Sequence, residues 1–457
     1  VGAAATNAWA QDSQGNLVAG TGAGSGRDAD TELNVLIGCN AGVVLNEGDR
    51  NVLIGWSAGS SELSGGCNIM IGSGPGIAHA SGHRNIFLGS YAAKCATSGC
   101  YNNFFGEGAG RCKIGNDSIA IGRNSLKGSS TVGNNSGGLN IAKGKESGSS
   151  MTSGSQNTIV GVNAGKTIDA GAGNTLLGAN AGEEITSGGY NVFVGDTAGG
   201  NVQTGGYNVG LGYEALKGSG TPADNTGNCN VAIGHKAGAS YTSGQYNVFF
   251  GKYAGFGNTS GHCNIAIGCN AGKGITDATE NISIGGLGLQ QAAGNMNVQI
   301  GRYGQYYMKG ACNISMGQNA MQGTSTTADN TGHSNIALGN SAMFYQKTGC
   351  YNIGLGYQTL YGASAGTTGN YNTAFGYQAG KSLTSGGANN FFGTQTGMNV
   401  ITGTGNLYVG NSAGRCQCSG GYNIGLGYFA LQGSTTVSDN TGACNIAIGK
   451  CAGGGIT

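Results

Sequence analysis

The chain has 457 residues, of which 96 are glycine and only 38% hydrophobic, too little apolar material for a globular core of that length. Its 21 basic and 20 acidic residues nearly cancel, which argues against a basic stripe for nucleic acid and against an acidic tail. No apolar run approaches the ~18 residues that span a bilayer, and glycine without a three-residue period, beside only two prolines (Pro75 and Pro222), is not collagen.

Residues 1–15, Ala-rich and then polar, do not match the rest of the chain and are expected to be a cap or connector. From Asn16 onward one unit recurs: Asn, apolar, variable, apolar, Gly, then two variable residues to Ala-Gly and a return through Ser/Thr-Gly. With Asn as position 1 there are 25 copies, and 15 of the 24 intervals between them are 17 residues long. The copies at Asn34, Asn51, Asn68 and Asn85, with Gly38, Gly55, Gly72 and Gly89 at position 5, carry the pattern plainly. Such a period signals stacked rungs rather than a globule.

The expected fold is all-β: a parallel β-solenoid of about 25 rungs over residues 16–457, with the position-1 asparagines laddered along the axis. Positions 2 and 4, with the Ala at position 8 (Ala41, Ala58, Ala109, Ala164), are expected to fill a narrow interior, and position 3 to point the other way. Position 5 is Gly throughout, as a corner of positive φ or close backbone approach requires. At ~4.8 Å per rung the rod would be on the order of 120 Å long. Val1 is not Met and the chain stops thirteen residues into a rung, so both ends read as cut.

Residues 111–150 are the roughest part, with Ser118 in place of Asn and Lys143 at a position 4 that is otherwise mostly apolar. A buried Lys143 ammonium would be costly, so the side chain is expected to snorkel outward or meet Glu146. Four copies of 22 residues start at Ser118, Asn208, Asn313 and Asn423. Each replaces the position-9 Gly by Leu126, Leu216, Met321 or Leu431, and a polar insert follows, which reads as a surface loop pinned by one packed side chain.

Chemistry is sparse. The five histidines fall at what look like unrelated positions, the fourteen cysteines include no CxxC pair, and no nucleophile or paired-carboxylate constellation stands out. No catalytic residue, cofactor site or metal site is assigned, and the chain reads as a non-enzyme. Cys95 and Cys112, both at position 11 of adjacent rungs, should stack about one rung apart, and they are expected to be free thiols. Aromatic residues are the remaining feature: Tyr stands immediately before the Asn in several rungs, and Trp56, Tyr213, Tyr357, Tyr377 and Tyr428 stand at position 6. The position-6 rings are candidate sugar contacts, with packing between rungs or chains as the competing reading.

Strings such as Asn372-Thr373-Ala374-Phe375-Gly376-Tyr377-Gln378-Ala379-Gly380 and Asn445-Ile446-Ala447-Ile448-Gly449 resemble the repeats of phage tail-fibre and appendage proteins, which often precede an endosialidase-type intramolecular chaperone. They are also similar to the shorter head repeats of trimeric autotransporter adhesins. The resemblance implies a homotrimeric, fibrous β-solenoid on a virion surface or outside the cell, carrying or supporting a host-binding tip. Its partners would be two further copies of itself and a host-surface glycan or protein, with neither nucleic acid nor membrane insertion. A cellular extracellular filament, matrix or adhesin protein is the alternative reading. With position 3 turned outward, apolar or small in nearly every rung, a lone coil would expose an apolar stripe larger than monomers tolerate, which three chains could bury on a common axis.

Overall fold

The computed structural model describes residues 10–61, 64–291, 294–326, 329–434 and 440–455. The start of the expected cap, residues 1–9, and residues 435–439 of the last insert lie outside them. The chain divides after Cys229 into two compact units.

Unit 1 opens on a hairpin. Strand β1 (Ala10–Gln11) pairs antiparallel with β2 (Leu17–Ala19), the first rung. Asp12 makes the turn: its Oδ1 accepts from the backbone N–H groups of Gln14 and Asn16, and its Oδ2 takes Arg27 at 2.8 Å. From β2 to β13 (Val209–Leu211), each strand has three residues and pairs parallel with the next, one rung on. The register matches positions 2, 3 and 4 to themselves: Val35 to Val52, Leu36 to Leu53, Ile37 to Ile54. Unit 2, from β14 (Val231–Ile233) to β26 (Ile446–Ile448), uses the same rung and the same parallel register. Both units are parallel β-solenoids.

The inward face is not the expected one. Position 3 is buried, in Leu36, Leu53, Met70, Phe87, Phe104, Phe193 and Phe391, whereas positions 2 and 4 face outward. Strand alternation supplies the reason. Position-1 Asn turns its amide inward, where it is fully or almost fully buried, and with period two position 3 must follow it. Lys143, at position 4 of β9 (Ile141–Lys143), is therefore exposed and is no core defect; Glu146 pairs instead with Lys166, at 3.5 Å.

Position 8 Ala completes the packing as expected, with Ala41, Ala58, Ala109 and Ala164 fully buried. Positions 3 and 9 share one space. Where position 3 is a large hydrophobic, position 9 is Gly, or Ala93 in the rung of Phe87: a Cβ on Gly110 would sit 2.2 Å from the Phe104 ring, and one on Gly414 would sit 2.3 Å from Tyr408. Where position 9 is large and buried, as in Leu126, Leu216, Met321 and Leu431, position 3 shrinks to Ala120, Gly210, Ser315 and Gly425. This is volume conservation within a rung. A third inward column, at position 12, holds Leu45, His79, Ala96, Lys113, Met151, Ile168, Ile185 and Val202 in unit 1. In unit 2 the interior becomes polar between Ser283 and Ser315: Ser283 Oγ donates to Gln299 Oε1 at 2.9 Å, and Gln305 Nε2 donates to Ser315 Oγ at 3.0 Å.

The four inserts are tied down by a second device besides the position-9 side chain. Asn135, Asn225, Asn330 and Asn440 take the place of position 12 inside the coil, and each grips one loop residue by both its N–H and its C=O. For Asn225 the two bonds to Ser219 are 2.9 and 3.1 Å.

Candidate functional site

Each rung turns at residues of positive φ, and two of these corners flank the strand. Position 5 is one: Gly38 has φ +128°, and a Cβ there would lie 2.5 Å from the carbonyl oxygen of Gly55, so only glycine fits. Gly55, Gly72 and Gly89 repeat this contact with the next rung. The other corner is the residue immediately before the Asn, here called position 0. It is left-handed even when it is Tyr, Cys, Arg or Leu, with φ of 62° at Tyr101 and 61° at Cys67.

The asparagine ladder lies between these corners. Asn34 Oδ1 accepts the Asn51 N–H at 2.8 Å, Asn51 Oδ1 the Asn68 N–H at 2.9 Å, and Asn68 Oδ1 the Asn85 N–H at 3.0 Å. Each amide NH2 also donates across the coil to a carbonyl, as Asn51 does to Gly65 at 3.0 Å. The amide thereby satisfies groups that neither solvent nor the parallel ladder reaches. Ser118 substitutes with its hydroxyl, which accepts the Asn140 N–H at 3.3 Å.

A second ladder runs two residues before the Asn. There a side chain accepts the N–H of the corresponding residue one rung earlier: His83 Nδ1 from Gly66, Cys100 Sγ from His83, His262 Nδ1 from Gln245, Cys350 Sγ from His333. Three of the five histidines, His83, His262 and His333, thus share one column; counted forward from the preceding Asn, His83 and His262 already share a position, and only His333, in a 22-residue copy, is shifted out of it. These side chains serve rung-to-rung bonding. Among the described residues, no three His, Cys, Asp or Glu side chains converge as a metal site requires.

The outer face of the strand is the most distinctive surface. Among the described residues, every large hydrophobic side chain that is exposed falls at position 0, 2, 4 or 6, with Tyr91 at position 7 the exception. Ile71, Ile121, Phe250, Ile267, Met316 and Val409 come from position 4, Ile141, Val248 and Ile314 from position 2. Trp56, Tyr213, Tyr357, Tyr377 and Tyr428 border this strip on one side, and Tyr101, Tyr190, Tyr207, Tyr246, Tyr351, Tyr371 and Tyr422 border it on the other. Within a column the rings stack: Tyr357 on Tyr377 with centroids 5.4 Å apart, Tyr351 on Tyr371 and Tyr190 on Tyr207 at 5.1 Å. Such stacking covers ring faces that a sugar would need.

Three buried titratable side chains, His79, Lys113 and Tyr241, escaped sequence reasoning because position 12 was not recognised as inward; burial raises the pKa of the Tyr241 hydroxyl. His79 lies edge-on to Phe87, with centroids 5.4 Å apart, and burial pulls its pKa down to about 4, the charge of His83 adding to the effect. Lys113 is fully buried, and burial pulls its pKa down to about 8. Cys95 and Cys112 are both free thiols in adjacent rungs; burial, then the hydrogen bond to Cys95, pushes the Cys112 thiol up to about 12, so it is inert as a nucleophile.

No known family model matches the chain, and no curated protein matches it. What the geometry defines is a β-solenoid with one apolar outer face per unit. Among the described residues no helix is long and apolar enough to cross a membrane.

Proposed function

We propose that this chain is shaft material of a homotrimeric fibre, a structural protein of the viral tail-fibre or appendage kind that carries or supports attachment to a host surface. One observation carries the reading: in each unit the exposed large hydrophobic side chains, Tyr91 apart, gather on one face, positions 0 to 6, while rung-to-rung hydrogen bonds close the coil. A strip of Ile, Val, Phe and Tyr repeated rung after rung exceeds the patch that a soluble monomer leaves in water. Three copies bury it on a common axis, and the repeat gives length without a globular core. The position-6 aromatics then pack at the border of that interface, and contact with a host glycan or protein belongs to the tip that the shaft carries. The resemblance of the repeats to tail-fibre and appendage repeats supports the same reading.

Sedimentation equilibrium of the purified chain tests it. Three chain masses are expected, with Phe250→Lys shifting mass toward the monomer. A soluble monomer at micromolar concentration, with native secondary structure, overturns it.

A further inference from the structure

The first insert, in the copy that Ser118 begins, stands beside cations that have no counter-charge. Several basic side chains of this chain find acids: Arg27 meets Asp12 at 2.8 Å, Lys166 meets Glu146 at 3.5 Å and Lys347 meets Asp329 at 3.2 Å. Lys217, the position-10 residue at the base of the second insert, meets Glu214 at 3.2 Å. Lys127 holds the same place at the base of the first insert, but there Asn124 stands where Glu214 would be. The third and fourth inserts have the uncharged Gln322 and Gln432 at this place, so the fold does not require a cation.

Position 10 of the two preceding rungs is also basic, Arg111 and then Lys94, which stacks three cations at ~4.8 Å intervals. Lys94 lays its ammonium over the Tyr91 ring, 4.7 Å from the centroid. The half-buried side chains of Arg111 and Lys127 have no hydrogen-bond or ion-pair partner among the described residues. Both line one groove of about 420 Å³, together with Cys95, Cys112 and, from the insert, Ser129 and Ser130. No carboxylate lines it. Cys112 keeps its proton, because burial raises its thiol pKa, and supplies no negative charge. Like charges held one rung apart in a partly desolvated groove repel each other, and an anion between them removes the repulsion.

The donors indicate which anion. The Arg111 guanidinium offers a planar fork to two oxygens, and Lys127, one rung on, offers a point charge to a third. Three oxygens and two cations suit a doubly charged tetrahedral oxyanion better than a carboxylate. We propose that the groove between the first insert and the side chains of Arg111 and Lys127 binds a sulfate or phosphate group, free or esterified on a polysaccharide. The site lies at positions 10 and 11, outside the apolar strip at positions 0 to 6, so its failure would leave the self-association proposed above untouched.

Cys95 is a native reporter of occupancy. It lines the groove, whereas Cys100, in the same tryptic peptide of residues 95–111, lines another groove that holds Glu47 and Asp49. Alkylation of both thiols by iodoacetamide is followed by mass spectrometry in sodium sulfate, sodium phosphate or sodium chloride of equal ionic strength. Sulfate and phosphate are expected to slow Cys95 by about tenfold near saturation and to leave Cys100 unchanged, while chloride slows neither. Lys127→Gln, which copies Gln322 and Gln432, is expected to remove the protection, and Lys127→Arg to retain it. Dextran sulfate, with dextran as the control, separates the sources. Protection at a lower concentration of sulfate groups than free sulfate needs assigns the ester on a polymer; equal or weaker protection assigns the free ion. Equal slowing by chloride, no slowing of Cys95, or protection that persists in Lys127→Gln overturns the proposal.

Discussion

Lys113 Nζ donates a hydrogen bond to the carbonyl oxygen of Thr152, 3.1 Å away and 39 residues further along the chain. The side chain therefore runs along the inside of the coil, past the inserted rung that Ser118 begins, to reach the rung of Asn140. It is a buried ammonium with a backbone carbonyl for an acceptor, and burial lowers its pKa to about 8.

That placement has a signed consequence. The unfolded chain holds the lysine proton up to about 10.5, the folded chain only to about 8, so between these values the unfolded state binds more protons and stability rises with pH. Below pH 8 the folded state carries the whole penalty, about 3 kcal/mol at ~1.4 kcal/mol per pH unit. Lys113→Met is expected to protect the rungs of Asn102 and Asn140 by about 2 kcal/mol at pH 7 and to flatten their dependence on pH above 8, allowing for the lost bond to Thr152. Amide hydrogen exchange at pH 7 and pH 9.5 measures both; faster exchange in the variant at pH 7 contradicts the assignment.

His79 behaves in the opposite pH range. Its folded pKa of about 4 lies below the unfolded value of 6.5, so stability is full above 6.5 and is lost as pH falls toward 4. About 3 kcal/mol of local stability is at stake. Protease resistance of residues 68–102 is expected to drop between pH 6 and pH 4, and His79→Leu, which copies Leu45 of the same inward column, is expected to remove the drop. An unchanged pH profile in the variant assigns the acid sensitivity elsewhere.

The asparagine ladder predicts an ordered pair of substitutions. Asn264 Oδ1 accepts the Asn281 N–H at 3.0 Å, and its Nδ2 donates to the Ala278 carbonyl at 2.8 Å. Asn264→Ala strands both groups in the interior, at about 1–3 kcal/mol each. Asn264→Ser retains an acceptor for the N–H, as Ser118 does naturally, and is expected to cost about half as much. Chemical denaturation monitored by hydrogen exchange across residues 247–297 ranks the two; equal costs would mean that the amide acts through shape alone.

Period, parallel register and the glycine corner were legible in the residues themselves. A fixed Asn, a fixed Gly and apolar residues spaced by two cannot recur every 17 positions without stacking like on like, and Gly at position 5 is demanded by the carbonyl of the next rung, as at Gly38 and Gly55. Which face of the strand turns inward was not legible, because alternation defines two faces and both carry apolar residues: Val35 and Ile37 on one, Leu36 on the other. The tertiary structure decided it through the asparagine. An amide that must hand its oxygen to the next rung has to be buried, and it takes position 3 inside with it. That parity put Lys143 in solvent and opened the interior at position 12 to His79 and Lys113. It also left Ile, Val and the bordering tyrosines on one outer face, because rung-to-rung packing consumes the inward residues and leaves the outward ones without cover.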